Sequence, residues 1–207
     1  MPIQGWFPTP IYYNYVTDLD TVQRSFDVVF ADLKARDQFQ RVKQWNDRSQ
    51  LLSDNTFTRN LFTDYNLTEF QQQLFGHVEQ FVLEMGLMGG KIPRYAVTTA
   101  WMTITPKGHQ SHVHSHGPAD ISGVYYYQTN GHDGSIFFQN PNNRLLERTR
   151  VFYDSAYKHI SYAPEIGKLL LFPGWLEHGT AENKTDHERV SVSFNIIFDR
   201  HDGLDIA

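Results

Sequence analysis

Four of the ten histidines fall within eight residues, in the segment Gly108-His109-Gln110-Ser111-His112-Val113-His114-Ser115-His116-Gly117-Pro118. On an extended backbone residues i and i+2 point to the same face, so His112, His114 and His116 can project together. Two imidazoles from one strand end can take neighbouring positions on a metal ion. A third ligand must then come from elsewhere in the fold. His178, in Phe172-Pro173-Gly174-Trp175-Leu176-Glu177-His178-Gly179, is the candidate. Imidazole suits Fe, Zn, Cu and Ni, so ligand type leaves the metal open. Alternating histidines beside Gly-Pro and ahead of an apolar strand read as a metal site rather than a surface loop.

A cation with chemical potential follows eleven residues after His178, in Arg189-Val190-Ser191-Val192-Ser193-Phe194. Alternation puts Arg189, Ser191 and Ser193 on one face and Val190, Val192 and Phe194 on the other. With the valine side packed against helices, Arg189 and Ser191 point inward. A buried guanidinium needs an anionic partner, and its fork fits a carboxylate with two hydrogen bonds. No acid in the strand supplies one. A bound dicarboxylate and a carboxylate elsewhere in the protein both remain open.

The elements that must carry these residues can be read from periodicity. Residues 7–16 are an extended, Pro-punctuated lead-in. A helix from about residue 20 places Val22, Phe26, Val29, Phe30 and Leu33 on one stripe, and a second over 68–85 aligns Phe70, Leu74, Val78, Phe81 and Met85. Asn66 with Glu69 reads as a capping box and Gly86 as the stop. From about residue 94 the period becomes two. Strands are expected over 94–105, 121–128, 135–139, 168–172 and 190–198, with a turn cluster at 129–134. Residues 37–65, around Trp45, and 140–164, with Arg144, Arg148, Arg150, Tyr153 and Tyr157, read as loops. The order predicts an α+β, mainly β chain. It divides into residues 1–92 (lead-in and buttressing helices), 93–198 (a strand-rich core) and a 199–207 tail, all one domain.

In that order the motifs resemble the 2-oxoglutarate- and Fe(II)-dependent oxygenase superfamily, and within it a group of oxygenases found in phages and marine bacteria. The residues that carry the resemblance are Phe7-Pro8-Thr9-Pro10, Trp101, His114-Ser115-His116, Ser122-Gly123-Val124-Tyr125-Tyr126, the Phe172–His178 segment and Arg189-Val190-Ser191-Val192-Ser193-Phe194-Asn195. The resemblance implies a double-stranded β-helix, or jelly roll, with the N-terminal helices packed on one sheet. It implies an oxidoreductase, a dioxygenase that couples oxidative decarboxylation of 2-oxoglutarate to substrate hydroxylation, with Fe(II), 2-oxoglutarate and O2 as cofactor and cosubstrates. His114, His116 and His178 would hold the iron, with His112 and Asp120 as alternatives. Arg189 and Ser191 would bind 2-oxoglutarate, and Tyr125 or Tyr127 would add a hydroxyl. Trp175 and Tyr126 would wall the mouth. The departure is His116, which stands where the superfamily's usual triad has a carboxylate. A three-His dioxygenase or other metalloenzyme without 2-oxoglutarate, and a non-enzymatic barrel, are the competing readings.

Bulk properties bound the rest. The chain of 207 residues is 40% hydrophobic, enough for one sizeable core, and its aromatic content of 14% favours sheets. It has no cysteine, which excludes disulfides and thiolate metal ligands. The net charge of −5 and scattered Lys and Arg predict no nucleic-acid partner. The start Met1-Pro2-Ile3-Gln4-Gly5-Trp6 and the lack of a long apolar run predict neither secretion nor membrane insertion, hence a cytoplasmic protein, and the resemblance implies a bacterial cell or a phage-infected host. The expected partner is a small-molecule or peptide substrate.

Overall fold

The computed structural model describes residues 9–41, 48–53, 59–86, 91–142 and 158–199. Arg144, Arg148, Arg150, Tyr153, Tyr157, Trp45, residues 1–8 and the tail from 200 onward lie outside them. Ten strands and three helices follow in the order β1 (Tyr12–Tyr15), α1 (Leu19–Ala35), β2 (Gln40–Arg41), β3 (Leu51–Leu52), α2 (Leu61–Asp64), α3 (Thr68–Met85), β4 (Tyr95–Thr105), β5 (Ile121–Gln128), β6 (Ile136–Gln139), β7 (His159–Tyr162), β8 (Lys168–Pro173), β9 (His178–Thr180) and β10 (Arg189–Phe198). They form a seven-stranded sheet, β1-β8-β5-β10-β4-β3-β2, facing a three-stranded sheet, β7-β6-β9. This is the expected double-stranded β-helix with helices on one sheet.

The alternating sequence of the strands creates two cores. On the outer face of the large sheet Ala100, Met102 and Ile104 of β4, Leu169 and Leu171 of β8, and Val190, Val192, Phe194 and Ile196 of β10 meet the helix stripes Val22, Phe26, Val29, Leu33 and Phe70, Leu74, Val78, Phe81. Between the sheets lies a smaller cluster of Val124, Tyr126, Ile136, Phe138, Leu170, Phe172 and Leu176. Each such fully buried side chain contributes about 1.5–3 kcal/mol relative to exposure. The helix–sheet core therefore supplies most of the cohesion and leaves the space between the sheets free to carry polar groups.

The helices differ from expectation at their ends. Leu67, not Asn66, is the cap residue of α3. Asn66 accepts from the Thr68 amide at 3.4 Å and the Thr68 hydroxyl at 2.8 Å, while Glu69 is taken by Gln73 at 2.8 Å, so no reciprocal box closes. The turn of helix α2 lies inside the segment read as loop. Its Asn60 cap accepts from the Phe62 amide at 3.0 Å, but four residues are too few to show a helical period.

Candidate metal centre

Register sets which side chains reach the space between the sheets. Directly opposed residues of an antiparallel pair share a face. In the pairing of β10 with β4, Arg189 opposes Thr105 and Ser191 opposes Thr103. Against β5, Ser191 opposes Tyr126 and Val192 opposes Tyr125, after an irregularity between Val190 and Ser191. Arg189, Ser191, Thr103 and Tyr126 therefore line one cavity of ≈ 170 Å³, together with His114, His116, His178 and Trp101.

Expectations for the β5 tyrosines are corrected by the same register. Tyr125 and Tyr127 point into the helix–sheet core, stacked or packed on Phe26. Tyr127 donates to Asp27 and Gln23 reaches the Tyr125 hydroxyl at 3.5 Å. Neither can serve a ligand between the sheets; Tyr126 lines the cavity instead. Trp175 is 53% exposed and lies outside the cavity lining.

Backbone pairing fixes the histidines. His114 and His178 exchange two N–H···O bonds of 2.9 Å, so the histidine segment runs as a further antiparallel partner of β9. The His116 amide then donates to the Gly174 carbonyl at 2.8 Å, and the Gly174 amide to the Asp120 carbonyl at 3.1 Å. A Cβ at residue 174 would stand 2.1 Å from the Ala119 carbonyl oxygen, so only glycine lets these loops approach. The potential ligand atoms of His114, His116 and His178 all fall within 4.8 Å of one another.

Ring hydrogen bonds orient two of the three. A carbonyl oxygen only accepts, so His114 donates through Nδ1 to the His112 carbonyl at 2.7 Å and His178 through Nδ1 to the Leu176 carbonyl at 2.8 Å. Both imidazoles then present Nε2 as a lone pair, the arrangement in which such bonds fix the tautomer of a metal ligand. Among the described residues His116 has no ring hydrogen bond. Contacts with His178 (5.2 Å, 13°) and Trp101 (5.7 Å, 30°) hold its ring instead. The alternatives lie elsewhere: His112 contributes its carbonyl, and the Asp120 carboxylate accepts from the Phe198 amide at 2.8 Å.

Burial first, and then repulsion from neighbouring imidazoles, pushes the histidine pKa values down, to about 4 for His116 and about 3 for His178, with His114, beside His112, also lowered. All three are neutral at pH 7, the form that ligates metal. An unfolded chain takes up these protons near the ordinary imidazole value of 6.5, whereas the folded chain refuses them. Stability without metal is thus intact above 6.5 and falls as pH drops towards 4. Thermal unfolding measured across this window should show the midpoint falling, with a shallower dependence in His178→Gln. An unchanged midpoint would contradict this electrostatic picture.

Across the cavity Arg189 is 1% exposed and forms no ion pair with a carboxylate of the described residues. Its Nη1 donates to the carbonyls of Asp133 (3.2 Å) and Gly134, and Nη2 to the Thr105 hydroxyl at 3.0 Å. Gln50 steadies Thr105 at 3.0 Å. Gly134, at φ 101, lies where a Cβ would meet the Ala181 carbonyl at 2.4 Å. Among the described residues Arg189 Nε and the Tyr126 hydroxyl have no partner although both are buried. A guanidinium has five N–H donors. Two here, one on Nε and one on Nη2, are left for a carboxylate. Such orphaned groups are costly unless a ligand completes them. Sequence reading identified His114, His116, His178, Arg189 and Ser191. It did not single out Thr105, Gln50 or Asp133, whose types are common and whose roles arise only from cross-strand and loop contacts.

Comparison with known proteins fits this geometry. Residues 99–195 match a family model described as "Putative 2OG-Fe(II) oxygenase". No curated protein matches the chain. Among solved structures, the non-heme alpha-ketoglutarate-dependent carbocyclase SnoK from nogalamycin biosynthesis is similar at 10% identity and TM-score 0.64, covering 91% of this chain and 79% of that one. A prolyl-4-hydroxylase from Pseudomonas putida is similar at 15% identity and TM-score 0.59, covering 92% and 94%. EctD from S. alaskensis, crystallised with bound Fe, is similar at 14% identity and TM-score 0.54, covering 91% and 72%. These structures share the fold, and the family match spans the strands that carry the histidines. Residues 99–195, which include the histidines and Arg189, are thus similar to the 2-oxoglutarate- and Fe(II)-dependent oxygenases.

Proposed function

We propose that His114, His116 and His178 hold the iron of a hydroxylase, and that Arg189, with Tyr126 and Ser191, anchors the far carboxylate of 2-oxoglutarate. The observation that carries this reading is the buried Arg189 fork, with an orphaned Nε, in the same cavity as three neutral imidazoles. When bound, Fe(II) and 2-oxoglutarate supply oxygen activation through oxidative decarboxylation of the cosubstrate.

The chain's own residues do the rest. The two Nδ1-anchored histidines aim Nε2 at one point, and the Trp101 face limits rotation of His116. Arg189 sets the cosubstrate's reach from one end, its own fork fixed by Thr105 and the loop carbonyls. Tyr126 donates a hydroxyl proton to the same carboxylate. Val124, Ile136 and Phe172 form an apolar wall that excludes water from the centre.

Substrate, a small molecule or a peptide, is selected by the loops around the mouth. Among the described residues no helix is long and apolar enough to cross a membrane. Supply of 2-oxoglutarate and reduced iron favours a cytoplasmic setting.

Tyr126→Phe separates two roles by sign. Removing a buried, unpartnered hydroxyl stabilises the cosubstrate-free protein by about 1 kcal/mol, while losing a ligand hydrogen bond raises the 2-oxoglutarate KM about five- to tenfold. Thermal unfolding and succinate kinetics read the two effects. A KM equal to wild type would remove Tyr126 from the cosubstrate site.

A further inference from the structure

Three imidazoles carry no charge, whereas the common set of two histidines and one carboxylate carries one negative charge. None of the described residues lining the cavity is acidic. Yet one carboxylate is buried beside it. Asp133 is 0% exposed and is the one acidic side chain in the buried class among the described residues. It belongs to the turn directly behind Arg189, whose Nη1 donates to the Asp133 carbonyl at 3.2 Å. The carboxylate itself accepts from Thr129 Oγ1 at 2.5 Å and the Asn130 amide at 2.9 Å, and faces His187 Nδ1 at 3.0 Å. It is satisfied without pairing with the guanidinium, so it acts on Arg189 through space and leaves the fork open for a ligand.

We infer that Asp133 is the counter-charge of this centre: the negative charge that the metal ligands lack stands behind the cosubstrate's arginine instead of on the metal. The inference rests on the reading of Arg189 as the 2-oxoglutarate anchor. A divalent metal, the guanidinium, the Asp133 carboxylate and a dicarboxylate together carry no net charge. The same neutrality holds for a centre with a carboxylate ligand and no buried acid behind the arginine. In a buried cavity an uncompensated unit charge is expensive, so the total matters as well as the pairs.

Asp133 also holds its turn, and the two roles move 2-oxoglutarate affinity in opposite directions. A purely structural Asp133 keeps Arg189 in place, so Asp133→Asn would weaken binding. A counter-charge partly neutralises Arg189 and repels the dianion, so Asp133→Asn, which keeps the acceptor oxygen and the shape, tightens it.

The test is calorimetric titration of 2-oxoglutarate into the Co(II)-loaded protein near pH 8, where ordinary imidazoles are neutral. Relative to wild type, Asp133→Asn should bind about tenfold more tightly and His116→Asp about tenfold more weakly, with the double variant within about threefold. Weaker binding by Asp133→Asn overturns the inference. So does His116→Asp binding as tightly as wild type, a comparison that stands even if Asp133→Asn fails to fold. Wild-type protein that takes up Co(II) but no 2-oxoglutarate overturns the proposed function, and this inference with it.

Discussion

His178→Ala should abolish succinate formation from 2-oxoglutarate and lower metal affinity at least about a hundredfold, since loss even of an outer-shell partner costs ten- to a hundredfold. Of the three histidines His178 is the one most firmly built into the fold. It is 6% exposed, backbone-paired with His114 in both directions at 2.9 Å, and anchored through Nδ1. Its ring also packs on Phe172 at 4.7 Å. The alanine variant therefore leaves both an incomplete ligand set and a void against Phe172. His178→Gln separates these effects, because it fills more of the void while losing the imidazole. Metal content and succinate yield should fall equally in both variants, and the unfolding midpoint should fall more in the alanine variant. Retained turnover in either would remove His178 from the centre.

Arg189→Ala should raise the 2-oxoglutarate requirement at least about a hundredfold and leave metal binding near wild type. Truncating one partner of a buried, hydrogen-bonded charge pair costs about 2–5 kcal/mol. The change also strands the Asp133 and Gly134 carbonyls and leaves the buried Asp133 carboxylate without its neighbouring cation. A loss of stability accompanies the loss of affinity, so the diagnostic is the pair of measurements. Metal titration stays intact while 2-oxoglutarate saturation moves out of reach. Arg189→Lys should recover only part of the affinity, because a point charge cannot reproduce the fork. If the alanine variant saturates with 2-oxoglutarate as wild type does, the dicarboxylate lies elsewhere.

Both variants draw on features that were legible before the fold was known, and the reason is physical. His114, His116, His178 and Arg189 are residue types that rarely line a cavity without a task, and strand alternation states which of them share a face. Alternation also defined the parts of β4 and β10 that face the site, 102–105 and 189–196, where apolar and polar residues alternate. It failed on β5. Val124, Tyr125, Tyr126 and Tyr127 are apolar on both faces because both faces are buried, so the phase of the strand was not encoded in its polarity. Pairing with β10 supplied it and turned Tyr126, not Tyr125 or Tyr127, towards Arg189. The second kind of illegible feature is the support of the site. Asp133 reads as a turn residue in Thr129–Gly134, and Thr105 as the end of a strand. Only the approach of the turn to Arg189, which Gly134 permits, gives either a role. The third kind is length: β9, with three residues, is too short to show a period, although it frames the centre.

The central claim is that one cavity holds Fe(II) on three neutral histidines and 2-oxoglutarate on Arg189. Anaerobic titration of the Fe(II)-loaded protein with 2-oxoglutarate, followed through the visible charge-transfer absorbance of an iron-chelated 2-oxo acid, tests it most directly. The account requires a band that saturates at one 2-oxoglutarate per iron, is absent from His178→Ala, and needs far higher concentrations in Arg189→Ala. Iron retained by the wild-type protein with no band at any 2-oxoglutarate concentration would contradict it and favour a three-His metalloenzyme that works without this cosubstrate.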